Sequence, residues 1–175
     1  MASVIVGKYK GQKFFSGKNP KIRPTQGRVK KSAMQIVEPF EGKNVLDLYS
    51  GLGTLGIEAL SRGAASVTFV EKYYSSIKYL KKNIYNICPN DKINLIQEDV
   101  ISYLKSCSKT FDIILVDPPY DRVEVNILHS LVRSVLSKDG KYFIEMKRFE
   151  FKKTENMRIE YYGNTQVVFG WKIKI

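Results

Sequence analysis

The chain has 175 residues, enough for one domain with a sizeable core, and its 43% hydrophobic and 26% charged residues are an ordinary globular balance. No apolar stretch is long enough to span a bilayer, and the N-terminus places a short apolar run before its basic residues, the reverse of a secretory signal. The two cysteines have neither metal nor redox spacing and indicate free thiols. These features argue against membrane-spanning and secreted classes and predict a cytoplasmic protein.

The positive charge is concentrated at the N-terminus. The formal net charge is +12, and residues 1–31 hold nine of the 29 Lys and Arg residues but no Asp or Glu. Lys and Arg side chains attract phosphate groups and release the counterions bound to them. The segment therefore favours a polyanionic partner, and a basic tail surrounded by water is the alternative.

The same N-terminal segment predicts two elements. The first fifteen residues predict a small β-hairpin, with a GKYKGQ turn between SVIV and KFF. A connection rich in Gly, Lys and Pro follows. Thr25 is placed to cap a helix that ends around Pro39 and Gly42 and carries apolar residues near one face.

Strands and helices alternate through the rest of the chain. Strands are predicted at residues 44–48, 66–70, 92–96, 111–116 and 141–146, with helices at about 54–62, 73–87, 99–105 and 123–136. Apolar strands separated by helices are typical of a parallel sheet that is covered on both faces and binds ligands at the carboxyl ends of its strands. The tail, with Gly163-Asn164 between two strand patterns, predicts an antiparallel hairpin that joins this sheet. We expect one α/β domain, with residues 1–31 as a basic extension and residues 32–175 as its core.

A glycine-rich turn, DLYSGLGTLG, follows the first of these strands. Gly51 and Gly53 let the backbone approach a ligand closely. From Gly51 to Gly56 the segment formally matches the G-x-G-x-x-G pattern of dinucleotide-binding enzymes, with Glu71 twenty residues beyond Gly51. However, the turn begins with Asp47, and a carboxylate suits an ammonium group better than a pyrophosphate. The turn therefore favours S-adenosylmethionine as the cofactor, and a small NAD-dependent oxidoreductase is the alternative.

Two further carboxylates follow the next strands. Glu71 ends the second strand, where a carboxylate can accept both hydroxyls of a ribose, in NAD and adenosylmethionine alike. Asp99 follows the third strand, where it could accept a hydrogen bond from the adenine amino group or cap the next helix. The sequence leaves these two roles of Asp99 open.

The most specific motif is Asp117-Pro118-Pro119-Tyr120, directly after the fourth strand. An exocyclic amine is a poor nucleophile because its lone pair is delocalised into the base. If the Asp117 carboxylate and the Pro118 carbonyl accept its two N–H bonds, the lone pair is directed toward a donor methyl group, mainly through positioning. The prolines stiffen the backbone and Tyr120 offers a face on which a splayed-out base can stack. The motif predicts methyl transfer to a base amine, and a plain strand-ending turn is the alternative.

With these motifs the chain resembles the class I methyltransferases that carry a (D/N/S)-P-P-(Y/F/W) motif. Among them it is similar to the bacterial RsmD family, which methylates a guanine N2 in 16S ribosomal RNA. The resemblance covers nearly all of the chain, from the GKYKGQK hairpin and Arg23-Pro24-Thr25 through DLYSGLGTLGIEALSRGA and VEK to DPPY. It departs from the family where Gln26-Gly27 stand in place of the usual Thr-Asp.

The resemblance implies a Rossmann-like class I methyltransferase fold, S-adenosyl-L-methionine as the cofactor, and ribosomal RNA or the assembled small ribosomal subunit as the partner. The residues that would hold the target amine are Asp117, Pro118, Pro119 and Tyr120. The expected cofactor residues are Asp47, Ser50, Gly51, Gly53, Glu71, Lys72, Asp99 and Val100. Together with the charge pattern, it predicts RNA contacts at Lys8, Lys10, Lys13, Arg23, Thr25 and Arg28.

We expect no metal, no membrane partner and a monomeric enzyme. Another target for the same chemistry is the N6 amine of adenine in DNA, or an amide side chain in a protein. DNA enzymes usually need an added recognition domain, for which this sequence offers no obvious segment, so RNA is the favoured target.

Overall fold

The structure is a computed structural model that describes residues 2–16, 26–119, 124–148 and 156–172, without the side chains of Gln26 and Arg28. The helices are α1 (Gln26–Val37), α2 (Thr54–Ser61), α3 (Tyr74–Ile87), α4 (Val100–Ser106) and α5 (Val125–Ser134). The strands are β1 (Asn44–Leu48), β2 (Ser66–Glu71), β3 (Ile93–Gln97), β4 (Phe111–Val116), β5 (Leu136–Lys147), β6 (Met157–Tyr162) and β7 (Thr165–Trp171). None of the helices in these ranges is both long and apolar enough to cross a membrane.

The strands form one sheet in the order β3-β2-β1-β4-β5-β7-β6. The first five strands of this order run parallel, and β7 lies antiparallel between β5 and β6. The prediction of a mainly parallel sheet with an antiparallel C-terminal hairpin is confirmed. Strands β2 and β3 lie on one side of β1, and the chain then crosses to β4, which pairs with the other side of β1. Ligands of such sheets bind at this switch point, here between the carboxyl ends of β1 and β4.

Apolar layers cover both faces of the sheet. One core packs α1, α2 and α3 against the strands, and the second packs α4 and α5 against the opposite face. Helix α3 shows how the pattern produces this layer, since Ile77, Leu80 and Ile87 recur on one side of the helix and are buried. The inner strands are apolar at nearly every position because helices cover both of their surfaces.

The N-terminal arm, residues 2–16, lies against the end of α2. Its two halves pair through an isolated antiparallel bridge between Ser3 and Lys13, so the predicted hairpin forms without regular strands. The Glu58 carboxylate accepts hydrogen bonds from the backbone amides of Ile5 and Val6, at 2.8 and 3.1 Å. These bonds fix the arm to the core, so the described part of the basic segment is not a free tail.

Strand β5 begins at Leu136, earlier than the predicted residue 141. The sequence Ser-Lys-Asp-Gly indicates a turn, and Asp139 does adopt a left-handed φ of 61°. Backbone pairing with distant residues nevertheless extends the strand. The Asp139 amide donates to the Lys172 carbonyl at 3.1 Å, and the Lys172 amide donates to the Gly140 carbonyl at 3.1 Å.

Candidate active site

Carboxylates converge at the carboxyl edge of the parallel strands. Asp47 is the next-to-last residue of β1, Glu71 ends β2, and Asp117 directly follows β4. The strand register places Leu48 opposite both Val70 and Val116, so these three strands end at the same level. The structure therefore brings Asp47 and Glu71, predicted for the cofactor, to the same sheet edge as Asp117, predicted for the target amine.

The loop between β1 and α2 has a left-handed backbone at three positions. These are Tyr49 with a φ of 58°, Gly51 with 53° and Gly53 with 80°. For Tyr49, which has a Cβ, this conformation costs on the order of 1–3 kcal/mol, and such strain is typical of functional loops. The sequence predicted the glycines here but did not predict that Tyr49 shares their conformation.

Two predicted cofactor residues, Ser50 and Gly53, shape this loop. The Ser50 hydroxyl donates to the Asp47 carbonyl at 2.7 Å, and the Ser50 amide donates to the Val70 carbonyl at 3.1 Å. A Cβ on Gly53 would lie 2.3 Å from Cδ1 of Leu80, so a glycine is needed for the loop to pack on α3. Both residues therefore fix the backbone of the loop, and their contact with the cofactor stays a prediction.

The Asp47 carboxylate is 1% exposed and accepts a hydrogen bond from the Gly56 amide, in the first turn of α2, at 2.9 Å. Burial raises the pKa of Asp47 to about 7, against the lowering effects of the Gly56 hydrogen bond and the positive charge of Lys30. The negative charges of Asp117 and Glu71 raise this pKa further. A cationic ligand group would favour the ionised carboxylate, so the charge at this position fits an ammonium-bearing cofactor.

Glu71 is held by two backbone amides. Its Oε2 accepts from the Gly51 amide at 2.9 Å and its Oε1 from the Tyr73 amide at 2.8 Å, while the residue is 6% exposed. A carboxylate oxygen has two acceptor sites, so each retains capacity for a further donor such as a ribose hydroxyl. A Cβ on Gly51 would have its nearest neighbour, the Tyr49 carbonyl oxygen, 3.9 Å away, which leaves open space beside the loop.

Asp99 caps α4. Its Oδ1 accepts hydrogen bonds from the amides of Ile101 and Ser102, and its Oδ2 lies 3.4 Å from Nζ of Lys72. Burial favours a higher pKa for Asp99, but these amides and Lys72 outweigh it and lower the pKa. The capping role is confirmed, and the adenine contact remains a prediction. Val100 is 2% exposed with its side chain in the core, and its predicted place in the cofactor site stays a prediction.

The corner after β4 contains a buried Pro118 and an exposed Pro119, while Tyr120 lies outside the described residues. The Asp117 side chain is 21% exposed, and its Oδ2 lies 3.1 Å from Nζ of Lys30. The sequence counted Lys30 only as part of the basic segment. Its place on α1, one turn before the buried residues Ala33 and Met34, is the signal that could have marked it as half-buried.

Lys30 is an ammonium surrounded by acids. Burial favours a lower pKa for Lys30, but the charge and hydrogen bond of Asp117, with the charges of Glu145 and Asp47, raise it overall. Glu145 is a buried residue of β5, next to Ile144, which pairs with Val116. The sequence did not predict this acid either.

The predicted RNA contacts are distributed along the N-terminal arm. Lys8 pairs with Asp91 at 2.6 Å and retains 49% exposure, while Lys10 and Lys13 are exposed. Arg23 and Thr25 lie outside the described residues, as does the side chain of Arg28. The turn of the arm contacts α2 at Ser61, the last residue of the helix. Because the glycine loop precedes the first residue of α2, the two are separated by the length of the helix, about 12 Å.

The returning half of the arm approaches the candidate active site. Asn83, 1% exposed on α3, accepts from the Phe15 amide at 2.7 Å and donates to the Leu52 carbonyl in the glycine loop at 3.0 Å. The arm and the loop are therefore tied together through one buried amide. Within the described ranges there is no group of three or more His, Cys, Asp or Glu residues suited to a metal ion.

The chain is similar to known proteins over most of its length. A family model described as "Conserved hypothetical protein 95" matches residues 2–171. "Putative rRNA methyltransferase YlbH" of Bacillus subtilis is 33% identical over 143 residues, which are 78% of this chain and 78% of that protein. Ribosomal RNA small subunit methyltransferase D of Buchnera aphidicola subsp. Baizongia pistaciae is 34% identical over 119 residues, 67% of this chain and 60% of that protein.

A solved structure from Escherichia coli, described as "Putative methyltransferase yhhF", superposes on this chain with a TM-score of 0.87. The match covers 98% of both chains at 24% sequence identity. Nearly the whole chain therefore has the Rossmann-like fold that the sequence predicted.

Proposed function

The chain belongs to the RsmD-like methyltransferase family, and from this premise we propose that it transfers a methyl group from S-adenosylmethionine to the exocyclic N2 amine of a guanine in 16S ribosomal RNA. The observation that carries the proposal is the pairing of two features on neighbouring strands. The glycine loop follows β1, with Asp47 near the end of β1 and Glu71 at the end of β2, and the Asp117-Pro118 corner follows β4, which pairs with β1.

The residues at the glycine loop fit the cofactor. When bound, adenosylmethionine supplies an electrophilic methyl group on a positively charged sulfur. The buried Asp47 would face its ammonium group, and Glu71, already oriented by two amides, would accept the ribose hydroxyls. The left-handed φ of Gly51 and the open space beside it let the backbone line this pocket.

The corner after β4 supplies the acceptors for the amine. One oxygen of the Asp117 carboxylate and the Pro118 carbonyl would accept the two N–H bonds, leaving the nitrogen lone pair directed toward the methyl group. The reaction needs no strong base, because the methylated amine loses its proton to solvent afterwards. These residues therefore work by orientation, and the adjacent ends of β1 and β4 bring amine and donor together.

The positive charge of the N-terminal segment and the names of the relatives support an RNA partner in the small ribosomal subunit. Such a partner fits the proposal of a cytoplasmic, monomeric enzyme without a metal. Reversing exposed lysines of the arm, Lys10→Glu with Lys13→Glu, should weaken RNA binding and lower the salt slope by roughly one for each phosphate that is no longer bound. The matched control reverses two exposed lysines away from the arm, Lys105→Glu in α4, which packs on the opposite face of the sheet, and Lys109→Glu in the loop after α4. Equal effects of both pairs would mean that the arm does not bind RNA specifically.

The proposal is tested with labelled S-adenosylmethionine and three substrates: free 16S RNA, 30S particles and duplex DNA. We expect transfer to one of the RNA substrates and identification of the product as N2-methylguanosine by mass spectrometry of the digested RNA. Methyladenosine as the product would refute guanine specificity. Transfer to DNA but not to RNA would favour the DNA alternative, and a protein that binds S-adenosylhomocysteine but methylates none of the three would defeat the proposal.

A further inference from the structure

We propose that Lys30 is a positioning residue of the methyl transfer, which holds one oxygen of the Asp117 carboxylate so that the other is directed to the target amine. The inference deepens the proposed function and rests on it. It assigns a role to a residue of α1 that belongs to neither motif.

The geometry places the Lys30 ammonium between the two halves of the site. Its Nζ lies 3.1 Å from Oδ2 of Asp117 and 3.2 Å from Oγ1 of Thr54, the first residue of α2 after the glycine loop. The Lys30 side chain is only 18% exposed. A lysine so far removed from water needs a charged partner, and two contacts in different directions fix where its ammonium lies. Lys30 thus links the cofactor loop to the amine-binding corner.

The surrounding charges keep this ammonium in place. Asp47 on β1, Asp117 after β4 and Glu145 on β5 all act on Lys30, and Glu71 on β2 adds its charge at Asp47. These acids hold Lys30 protonated despite its burial, so it is not placed to act as a base. Its available role is to orient a carboxylate.

Orientation matters because Asp117 must present a defined oxygen to a planar amine. An ammonium on Oδ2 restrains rotation of the carboxylate and leaves Oδ1 for the incoming N–H. If Lys30 instead occupied the amine's own position, it would have to leave before each reaction. The two roles predict opposite effects of removing the ammonium.

The first experiment compares Lys30→Met with Lys105→Met, which removes the same charge from an exposed residue of α4, on the opposite face of the sheet. With saturating cofactor, we expect Lys30→Met to lower kcat about 100-fold while KM for RNA changes less than about threefold. Lys30→Arg should have a kcat about tenfold higher than that of Lys30→Met, and Lys105→Met should leave kcat within about twofold of wild type. An unchanged kcat, or a higher kcat/KM, in Lys30→Met would overturn the inference.

A double-mutant cycle with Asp117→Asn separates positioning from general damage. Because Lys30 acts through Asp117, adding Lys30→Met to Asp117→Asn should lower the single-turnover rate by no more than about twofold. Independent, multiplicative losses would contradict the inference. S-adenosylhomocysteine binding and circular dichroism check that each variant is folded, and Lys30→Arg carries the comparison if Lys30→Met is not.

A substrate-free measurement keeps this inference distinct from the proposed function. Removing the ammonium leaves acids ionised without their counterion, so Lys30→Met should lower the urea midpoint more at pH 8.5 than at pH 5.5, and Asp117→Asn should restore part of the loss. Equal losses at both pH values would mean that no charge pairing exists. If wild-type protein shows no RNA methylation while this cycle behaves as expected, the proposed function fails and the Lys30–Asp117 pairing stands.

Discussion

Asp47 and Asp117 lie at the ends of neighbouring strands, yet they are held in different ways. Asp47 is 1% exposed, and the backbone amide of Gly56 donates to it from the same chain segment that forms the glycine loop. Asp117 is 21% exposed and is paired with the side chain of Lys30, which comes from a helix 87 positions earlier in the sequence. One acid is fixed by backbone and the other by a long-range ion pair.

This difference matches the tasks proposed for the two acids. A cofactor has one shape, and a carboxylate buried against a helix terminus offers it a fixed site. The target base must enter from a large RNA and leave again, so its acceptor lies nearer to solvent and is oriented by a second side chain. Substitutions at the two ends should therefore separate cofactor binding from methyl transfer.

The largest expected effect belongs to Asp117→Ala. Removing the amine acceptor should lower kcat by about 1,000-fold or more, because both orientation and the favourable charge are lost. The affinity for S-adenosylhomocysteine should stay within about threefold of wild type, since the glycine loop is unchanged. Single-turnover methylation and calorimetry measure the two quantities. Loss of cofactor binding together with activity would mean that Asp117 maintains the fold of the site rather than the reaction.

Asp47→Asn should show the opposite pattern. The amide keeps an oxygen for the Gly56 N–H but removes the charge, so S-adenosylhomocysteine affinity should fall about 10- to 100-fold. If affinity were unchanged while kcat fell, the assignment of Asp47 to the cofactor ammonium would be wrong.

The same substitution should change how stability depends on pH. The pKa of Asp47, about 7 in the folded state, is above the ordinary value of 3.8. The folded state therefore binds its proton more tightly. The stability that this proton gives the folded state is fully present below pH 4 and is lost as the pH rises through 7. The free energy of unfolding falls by at most about 4 kcal/mol as a result. Asp47→Asn should remove that loss, so the variant gains more stability relative to wild type at pH 8 than at pH 5. Urea unfolding at both pH values tests this, and parallel pH slopes would contradict it.

Gly53→Ala tests how strongly the backbone fixes the loop that surrounds Asp47. In Gly53→Ala, the backbone φ is 80° and the new Cβ would lie 2.3 Å from the Leu80 side chain. In Gly163→Ala, the backbone φ is 60° and the new Cβ would meet open space. We expect Gly163→Ala to cost about 1 kcal/mol of unfolding free energy and Gly53→Ala about 1–3 kcal/mol more. Chemical denaturation measures the difference. Equal costs would show that the loop can yield at Leu80 and is less rigid than its packing indicates.

The features predicted from sequence are those carried by local patterns. Strand ends, the glycine loop, Asp47, Glu71 and the Asp-Pro-Pro corner follow from apolar runs and short motifs, and the sheet then aligns them without further information. The cap at Asp99 was also among the predicted roles, because capping depends on residues two or three positions away.

The missed features depend on packing between distant segments. Lys30 approaches Asp117 only because α1 packs on the sheet next to the glycine loop, and Glu145 joins them through the register of β5. Likewise, Asp91 partly neutralises Lys8, a pairing across 83 positions that residue counts cannot reveal.

The smallest effect is expected at Asp99, where capping and cofactor binding can be separated. Serine also caps helices but is too short to reach a ligand that aspartate reaches, so Asp99→Ser should keep the free energy of unfolding within about 0.5 kcal/mol of wild type. Asp99→Ala should cost about 1 kcal/mol. If Asp99 also accepts from the adenine amino group, both variants should bind S-adenosylhomocysteine about 5- to 10-fold more weakly. Wild-type affinity in Asp99→Ser, measured by calorimetry, would leave Asp99 with its capping role alone, because serine retains the cap and loses only the reach.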